Sequence, residues 1–468
     1  MEPEGHSFCP YHDPPCTLNE CVEAAVVAGS DIADGSEYND ALADAVASGN
    51  LTLGDAQQRL YNALLIRFRL GLFDPVEGQP YLAYGEEKIA AAAADNALAA
   101  RQSLVLLQRG ALPFARGGAG ATAVLGFCGN STGALVSNYV NQFCPGGGST
   151  CFPSLLQAIG ALGEATVFAR ACDSPTSCPA AEAAAAVAAA GAAATGRVVL
   201  CLGISQAQEG EQHDRVNITL PEPQRELFAA VAAAAAGKPL AVVLVHGGAL
   251  AVPELKASGV ALLDAFYPGP EGGGAIADAL FGAYNPGGKL PYSVPDVGFA
   301  SAYDMADMRI AEIGRTYRYR TATSPGGAPL WPFGFGLSYS EFSLSGGDSA
   351  RLTLTPAAAA ATVSVRVANI GAVAGDEVLQ AYVAADAASL AAPQPPYVPV
   401  RSLVFFQRLR HAAGEGATVD VPLDAFACNL TLSDGSRRPV SGNYTLILSR
   451  GMGVGAEVAV PLTLSGWW

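Results

Sequence analysis

The sequence predicts a mixed α/β domain followed by an all-β domain, and three observations carry that prediction. Between about residues 85 and 300, short runs rich in Val and Leu alternate with helix-like segments. After about residue 345 the apolar period changes to two, and turn residues recur at short intervals. A length of 468 residues leaves room, at roughly 150 residues per domain, for about three units with cores of their own.

The elements follow in order. Residues 19–49 and 53–75 have helical spacing, with Leu60, Leu64, Leu65, Phe68 and Leu70 on one face and Gly71 and Pro75 ending the run. Two short helices cannot bury such a face alone, so a further surface is expected against it. Strand-like runs then occupy Leu104–Leu107, Ala123–Phe127, Val198–Leu202, Ala241–Val245 and Val260–Phe266. Helical segments separate them at Glu86–Arg101, Ser154–Leu162, Ala180–Ala194, Glu222–Ala236 and Glu271–Phe281. Buried β-branched strands alternating with helices predict a mainly parallel sheet covered on both faces, with functional loops at the carboxyl ends of its strands. Farther on, Thr362-Val363-Ser364-Val365-Arg366-Val367 alternates cleanly, and similar runs follow at Glu377–Val383, Ser402–Leu409, Ala417–Leu423 and Tyr444–Leu448. Roughly seven short strands in about 115 residues read as an antiparallel β-sandwich of immunoglobulin or fibronectin type III kind.

Composition narrows the function classes. Asp and Glu total 42 against 26 Lys and Arg, a net charge of −16, with no basic run to meet a nucleic acid or an anionic membrane. The most alanine-rich stretch, Ala180 to Ala194, carries Glu182 and Gly191 and reads as a solvent-edge helix rather than a membrane span. Ten cysteines and only 5 histidines, with no CxxC pair, argue against zinc. Cys9, Cys16 and Cys21 cluster first, then Cys128, Cys144 and Cys151; Cys172 and Cys178 suit a small disulfide loop, and Cys201 and Cys428 stand alone. Asn50, Asn130, Asn217, Asn429 and Asn443 lie in Asn-x-Ser/Thr sequons, which also points to secretion. Met1 to His6 has neither the charged nor the apolar region of a signal peptide, so the expectation is a secreted protein whose true beginning is absent.

Chemistry concentrates in the loop after Val198–Leu202, where Glu209, Glu211, His213, Asp214 and Arg215 crowd together. A glutamic acid that donates a proton near neutral pH needs burial or a nearby like charge, and two glutamates two residues apart offer a candidate. The alternative is a solvated acidic loop with Asp214 and Arg215 paired across a turn. His246-Gly247-Gly248 ends another strand; its glycines allow close backbone approach, and the histidine reads as structural. Gly269 to Gly274 lacks the Gly-Lys-Ser/Thr of a P-loop and the spacing of a dinucleotide fingerprint, which leaves tight helix packing and no cofactor. No Gly-x-Ser-x-Gly elbow supports a serine hydrolase.

Taken together, the motifs resemble glycoside hydrolase family 3, most closely its plant and fungal β-xylosidase branch. They are Ala100-Arg-Gln-Ser-Leu-Val-Leu-Leu, Gly203 to Arg215 followed by Val-Asn-Ile-Thr-Leu-Pro-Glu-Pro-Gln, and Tyr267-Pro-Gly-Pro-Glu-Gly-Gly-Gly. Asn285-Pro-Gly-Gly-Lys-Leu-Pro291, Gly314-Arg-Thr-Tyr-Arg-Tyr319 and Pro332 to Tyr339 continue the series, and Asn369 to Glu377 resembles the family's appended fibronectin-III-like domain. The resemblance implies a retaining β-xylosidase-like glycosidase acting on β-linked oligosaccharides of the cell wall, with a β-glucosidase or α-arabinofuranosidase, or a catalytically inactive carbohydrate-binding or wall-associated derivative, as the alternatives. It implies the remnant of a TIM-barrel C-terminus over 1–75, an α/β-sandwich domain over 76–300, a linker over 301–345 and a fibronectin type III-like β-sandwich over 346–468. It places the acid/base on Glu211, with Glu209 as the competing assignment, and matches Cys172 and Cys178 to a cysteine pair of that branch. The family's nucleophile is an aspartate in Ser-Asp-Trp or Ser-Asp-Cys, and neither motif occurs in this sequence. Residues Ser7 to Asp34 resemble the stretch beyond it, so Asp31 and Asp34 are read as loop or capping residues. Gln108 stands where many relatives carry lysine.

Overall fold

The computed structural model describes residues 17–79, 86–118, 120–137, 144, 148–211, 213, 215–304, 307–347 and 351–467. The chain divides into two compact units, Met1–Ala92 and Ala93–Trp468.

The first unit carries helices α1 (Leu18–Ala28), α2 (Glu37–Ala47) and α3 (Leu53–Arg69). Capping boxes start two of them, Thr17 with Glu20 and Thr52 with Asp55. The expected continuous helix over 19–49 is broken because Gly29 adopts φ 101° and ends α1 with a left-handed cap. Val22 and Val26 of α1 pack against Ala41 and Ala45 of α2, closed by Leu51. Asp31, in the loop between α1 and α2, is held by Arg59 and Asn62 of α3 at 3.0 Å each. Leu60, Phe68 and Leu70 remain 58%, 62% and 66% exposed, so α1 and α2 do not cover the apolar face of α3.

Helix α4 (Glu86–Ser103) runs across the boundary into the second unit. There follow β1 (Val105–Gln108), β2 (Ala121–Leu125), α5 (Leu155–Ala161), β3 (Thr166–Ala169), α6 (Ala180–Gly191) and β4 (Thr195–Gly203). Next come α7 (Gln206–Glu209), α8 (Glu222–Ala234), β5 (Leu240–Val245), α9 (Pro253–Ser258), β6 (Ala261–Asp264) and α10 (Gly272–Leu280). The sheet order is β1-β6-β5-β4-β2-β3; every pairing is parallel except β1 with β6. Alternate residues of β4 enter different cores: Val198, Leu200 and Leu202 one, Val199 and Cys201 the other. Both faces are therefore covered. Gly273 serves packing: a Cβ there would lie 2.5 Å from the carbonyl oxygen of Pro153, next to the start of α5.

The sandwich is built from β7 (Phe342–Gly346), β8 (Leu352–Leu354), β9 (Ala360–Asn369), β10 (Gly375–Ala385) and β11 (Ser402–His411). It is completed by β12 (Gly416–Asp424), β13 (Asn429–Thr431), β14 (Arg437–Pro439), β15 (Gly442–Ser449) and β16 (Val458–Leu464). Sheets β11-β10-β15-β16-β8 and β12-β9-β7 face each other across a core that includes Val363, Val365, Val367, Leu379, Leu446 and Val460, with β13-β14 as a separate ribbon. One pairing corrects the antiparallel expectation: β8 runs parallel to β16.

The sandwich is bolted to the α/β layer at the start of β10. Buried Asp376 pairs with Arg408 and Arg410 at 3.2 and 3.1 Å and accepts the Tyr284 hydroxyl at 3.3 Å. Buried Glu377 pairs with Lys289 at 2.7 Å and with Arg450 at 3.5 Å. Burial lowers Lys289 from the ordinary lysine value, and Glu377 opposes that. Asn285 donates to the Ala374 carbonyl at 3.0 Å and accepts from the Tyr339 amide at 2.8 Å. The motif Asn285 to Pro291 is thus a seam between two layers. The interval expected as a linker also pairs with the α/β layer, through bridges Leu106 to Leu337 and Val294 to Trp331.

Disulfides join Cys128 to Cys201, Cys144 to Cys151 and Cys172 to Cys178, and Cys21 is also disulfide-bonded. Cys201 does not stand alone; its partner is 73 residues earlier, on the loop after β2. Cys428 is a free, buried thiol, and Cys9 and Cys16 lie outside the described residues. No helix among the described residues is long and apolar enough to cross a membrane.

Candidate active site

The acid loop leaves β4 at Gly203, where only glycine fits: its φ is 147°, and a Cβ would lie 1.9 Å from the Val245 carbonyl oxygen. The strand end is fastened by Gln224, fully buried in the first turn of α8. Gln224 accepts the Gly203 amide at 2.9 Å and donates to the carbonyls of Gly203 and Pro175 at 2.7 and 2.6 Å. One side chain so ties together a strand end, a helix and the Cys172–Cys178 loop.

Beyond it, Ser205 and Gln208 form a capping box that starts the single turn of α7, and extended Gly210 (φ −70°, ψ 175°) separates the two glutamates. Glu209 turns inward. Its Oε1 accepts the Gly247 amide at 2.5 Å and the Tyr267 hydroxyl at 2.6 Å, while Oε2 accepts the Gly248 amide at 2.7 Å and lies 3.4 Å from Arg215. Both oxygens are occupied as acceptors, so a proton on either would displace a donor. Arg215 also donates to the Ala249 carbonyl at 2.6 Å, docking the loop on the segment after β5. The glycines are needed for contact: a Cβ on Gly248 would come 2.8 Å from Arg215 Nη2 and 3.0 Å from Glu209 Oε2.

Glu211 turns outward and is exposed, and no described residue holds its carboxylate. His213 is exposed as well. Asp214 lies outside the described residues; Arg215, expected to pair with it, is engaged by Glu209. Gln108 donates internally to the carbonyls of Leu255 and Val260 at 3.2 and 2.9 Å.

A second buried layer lies beneath Glu209, at the ends of β5 and β6. His246 Nδ1 is 2.8 Å from the Gly248 carbonyl oxygen, and Nε2 lies within ion-pair distance of Asp264 Oδ1, 3.1 Å, without hydrogen-bond alignment. Burial opposes charge on His246, but Asp264, the Gly248 carbonyl and Glu209 together outweigh it and raise the imidazole above its ordinary value. Asp264 also accepts the Phe266 amide at 3.2 Å, and Phe266 holds φ 52°, a strained backbone for a bulky residue. Tyr267 and Tyr292 are both raised, chiefly by burial, then by Glu209 for Tyr267 and by Asp264 for Tyr292.

Sequence reasoning placed Glu209 and Glu211 in one loop but could not separate them, and it gave no role to Tyr267, Asp264 or Gln224. Asp264 carried a signal, as a carboxylate inside the apolar run Val260–Phe266. Among the described residues, no cluster of three or more His, Cys, Asp or Glu is arranged to hold a metal ion.

Comparison with known proteins places this geometry. The profile of the glycosyl hydrolase family 3 C-terminal domain matches residues 104–339. A periplasmic beta-glucosidase of Salmonella typhimurium is 30% identical over 440 residues, which cover 86% of this chain and 55% of that protein. Beta-D-xylosidase 1 of Arabidopsis thaliana is 34% identical over 343 residues, 70% of this chain and 42% of that one. Among solved structures, a GH3 exo-beta-xylosidase (XlnD) in complex with a xylobiose aziridine probe superposes with a TM-score of 0.83 at 25% identity, covering 96% of this chain and 58% of that chain. The chain spans about half the length of these relatives. It belongs to glycosyl hydrolase family 3, and residues 104–339 are its C-terminal domain.

Proposed function

We propose that this chain supplies the acid/base half of a retaining β-xylosidase cleft, with Glu211 as the proton donor and a nucleophilic aspartate contributed by a barrel segment outside this sequence. The observation that carries the reading is the divergence of the two glutamates. Glu209 is consumed by four donors, whereas Glu211, two residues on, is free at the carboxyl end of the sheet. Residues 1–75 are read as the end of that barrel, consistent with the uncovered apolar face of α3. In the first step the aspartate attacks the anomeric carbon while Glu211 protonates the departing oxygen; in the second Glu211 takes a proton from a water that attacks the anomeric carbon and releases the aspartate, the two carboxyl groups standing about 5 Å apart. β-Xylosides are the proposed substrates because the XlnD and Arabidopsis relatives are xylosidases by name; β-glucosides are the second reading, favoured by the longer match to the Salmonella protein. Export to the cell exterior or wall is proposed from three disulfides and the exposed sequon residues Asn50, Asn130, Asn217 and Asn443.

The test uses aryl β-xyloside and aryl β-glucoside. The chain alone is expected to leave both at the background rate; robust hydrolysis would sink the supplied-nucleophile reading. Joined to the barrel of a family relative, it is expected to gain turnover that Glu211→Gln lowers by about 10²–10⁴-fold on substrates with poor leaving groups. Azide should restore turnover of activated ones. If Glu209→Gln shows azide rescue and Glu211→Gln does not, the assignment is reversed.

A further inference from the structure

We propose that His246 is a positioning residue for the acid loop and that it works as an imidazolium, its ring set between two acceptors, the Gly248 carbonyl at Nδ1 and the buried Asp264 carboxylate at Nε2. The proposal deepens the Glu211 reading and rests on it for its catalytic meaning. A carbonyl oxygen only accepts, so at 2.8 Å from Gly248 O the Nδ1 atom must carry a hydrogen. A neutral ring would then turn the bare lone pair of Nε2 toward Asp264 Oδ1 at 3.1 Å, lone pair against carboxylate, with both side chains 2% exposed. Asp264 is committed as an acceptor by the Phe266 amide. A second ring proton converts that repulsion into an ion pair.

The charged groups acting on this ring are Asp264 at the end of β6 and Glu209 of α7; Arg215 and the hydroxyls of Tyr267 and Tyr292 in turn face those two carboxylates. With His246 charged, two buried anions meet two cations. Without the proton one negative charge is left uncompensated in the interior. The placement is also mechanical. Gly248 gives its carbonyl to His246 and its amide to Glu209, so a single residue is gripped by the ring on one side and the clamp on the other. Moving the ring re-aims the Gly247 and Gly248 amides, and with them the helical turn that ends two residues before Glu211.

The sign follows from the raised value. Stabilisation by His246 is complete below the ordinary histidine value of about 6.5 and is lost as pH rises through the folded-state value. The experiment is ¹⁵N NMR of this chain, which has only 5 histidines, with thermal unfolding followed over the same pH range. One imidazole is expected to keep both ring nitrogens protonated at pH 7, and the Gly247 and Gly248 amide shifts should move with its midpoint. Wild type should lose Tm as pH rises from 6.5 to 9, a slope that His246→Asn and Asp264→Asn both abolish. A neutral His246 ring at pH 7, or a full alkaline slope retained in Asp264→Asn, overturns the proposal; so do glycine amides that ignore the imidazole titration, which mark a merely structural histidine. If His246→Asn does not fold, Asp264→Asn and the wild-type spectrum still decide. None of these readouts uses turnover, so Glu211 can fail its own assay while His246 stands, and the reverse.

Discussion

Replacing Gly248 by alanine tests the Glu209 clamp most directly. The added methyl would lie 2.8 Å from Arg215 Nη2 and 3.0 Å from Glu209 Oε2, the two side-chain ends that form the clamp, so one or both must shift. Accommodation must lengthen the Gly248–Glu209 hydrogen bond, now 2.7 Å, or part the Glu209–Arg215 pair at 3.4 Å. A hydrogen bond to a charged group contributes about 1.5–3 kcal/mol, and overpacking a close-fitted site costs about 1–3 kcal/mol. Taking about 3 kcal/mol for the combination, and an unfolding entropy on the order of 0.8 kcal/mol per kelvin for a unit the size of Ala93–Trp468, the melting temperature should fall by roughly 4 °C. Calorimetry provides the measurement. Gly274→Ala is the control, because nothing lies within 4 Å of a Cβ there and the position is inside α10. That change should be neutral or stabilising by up to about 1 kcal/mol. Equal melting temperatures for Gly248→Ala and wild type would refute the clamp, since a Glu209 that tolerates the methyl is not held as described.

Two further outcomes are expected. Gln224→Ala removes both bonds to Gly203 and the bond to Pro175 at once; leaving their backbone partners buried should cost about 3–5 kcal/mol, seen as a reduced denaturant midpoint, whereas an unchanged midpoint would show the triple anchor to be incidental. The Cys428 thiol, pushed by burial up to about 12, should resist iodoacetamide in the folded chain at pH 8 and react on unfolding, as read by peptide mass; rapid native labelling would contradict its placement in the sandwich core.

Much of the fold could be read from local pattern. Strands β4 and β5 are apolar runs with flanking turns, and Thr362 to Val367 displays its inward face in every second residue. Strand β3 escaped because Thr166–Ala169 is a half-exposed edge with no clear period. The antiparallel setting of β1, the parallel pair β8–β16 and the Cys128–Cys201 disulfide depend on which distant segments meet, and local spacing holds no such record. The same limit governs the site. Glu209 and Glu211 are chemically alike in sequence, and they part only because Gly247, Gly248, Tyr267 and Arg215 arrive at one of them from other strand ends and farther along the loop.

The knot at Asp376 and Glu377 makes the β-sandwich a fixed spacer rather than a swinging tail. Five cationic or hydroxyl side chains, two from the seam and three from two parts of the sandwich, converge on two adjacent buried carboxylates. Rotation about the seam would have to strip them together. Any surface touching the sandwich therefore meets the loop of Glu209 and Glu211 at a set stand-off and angle.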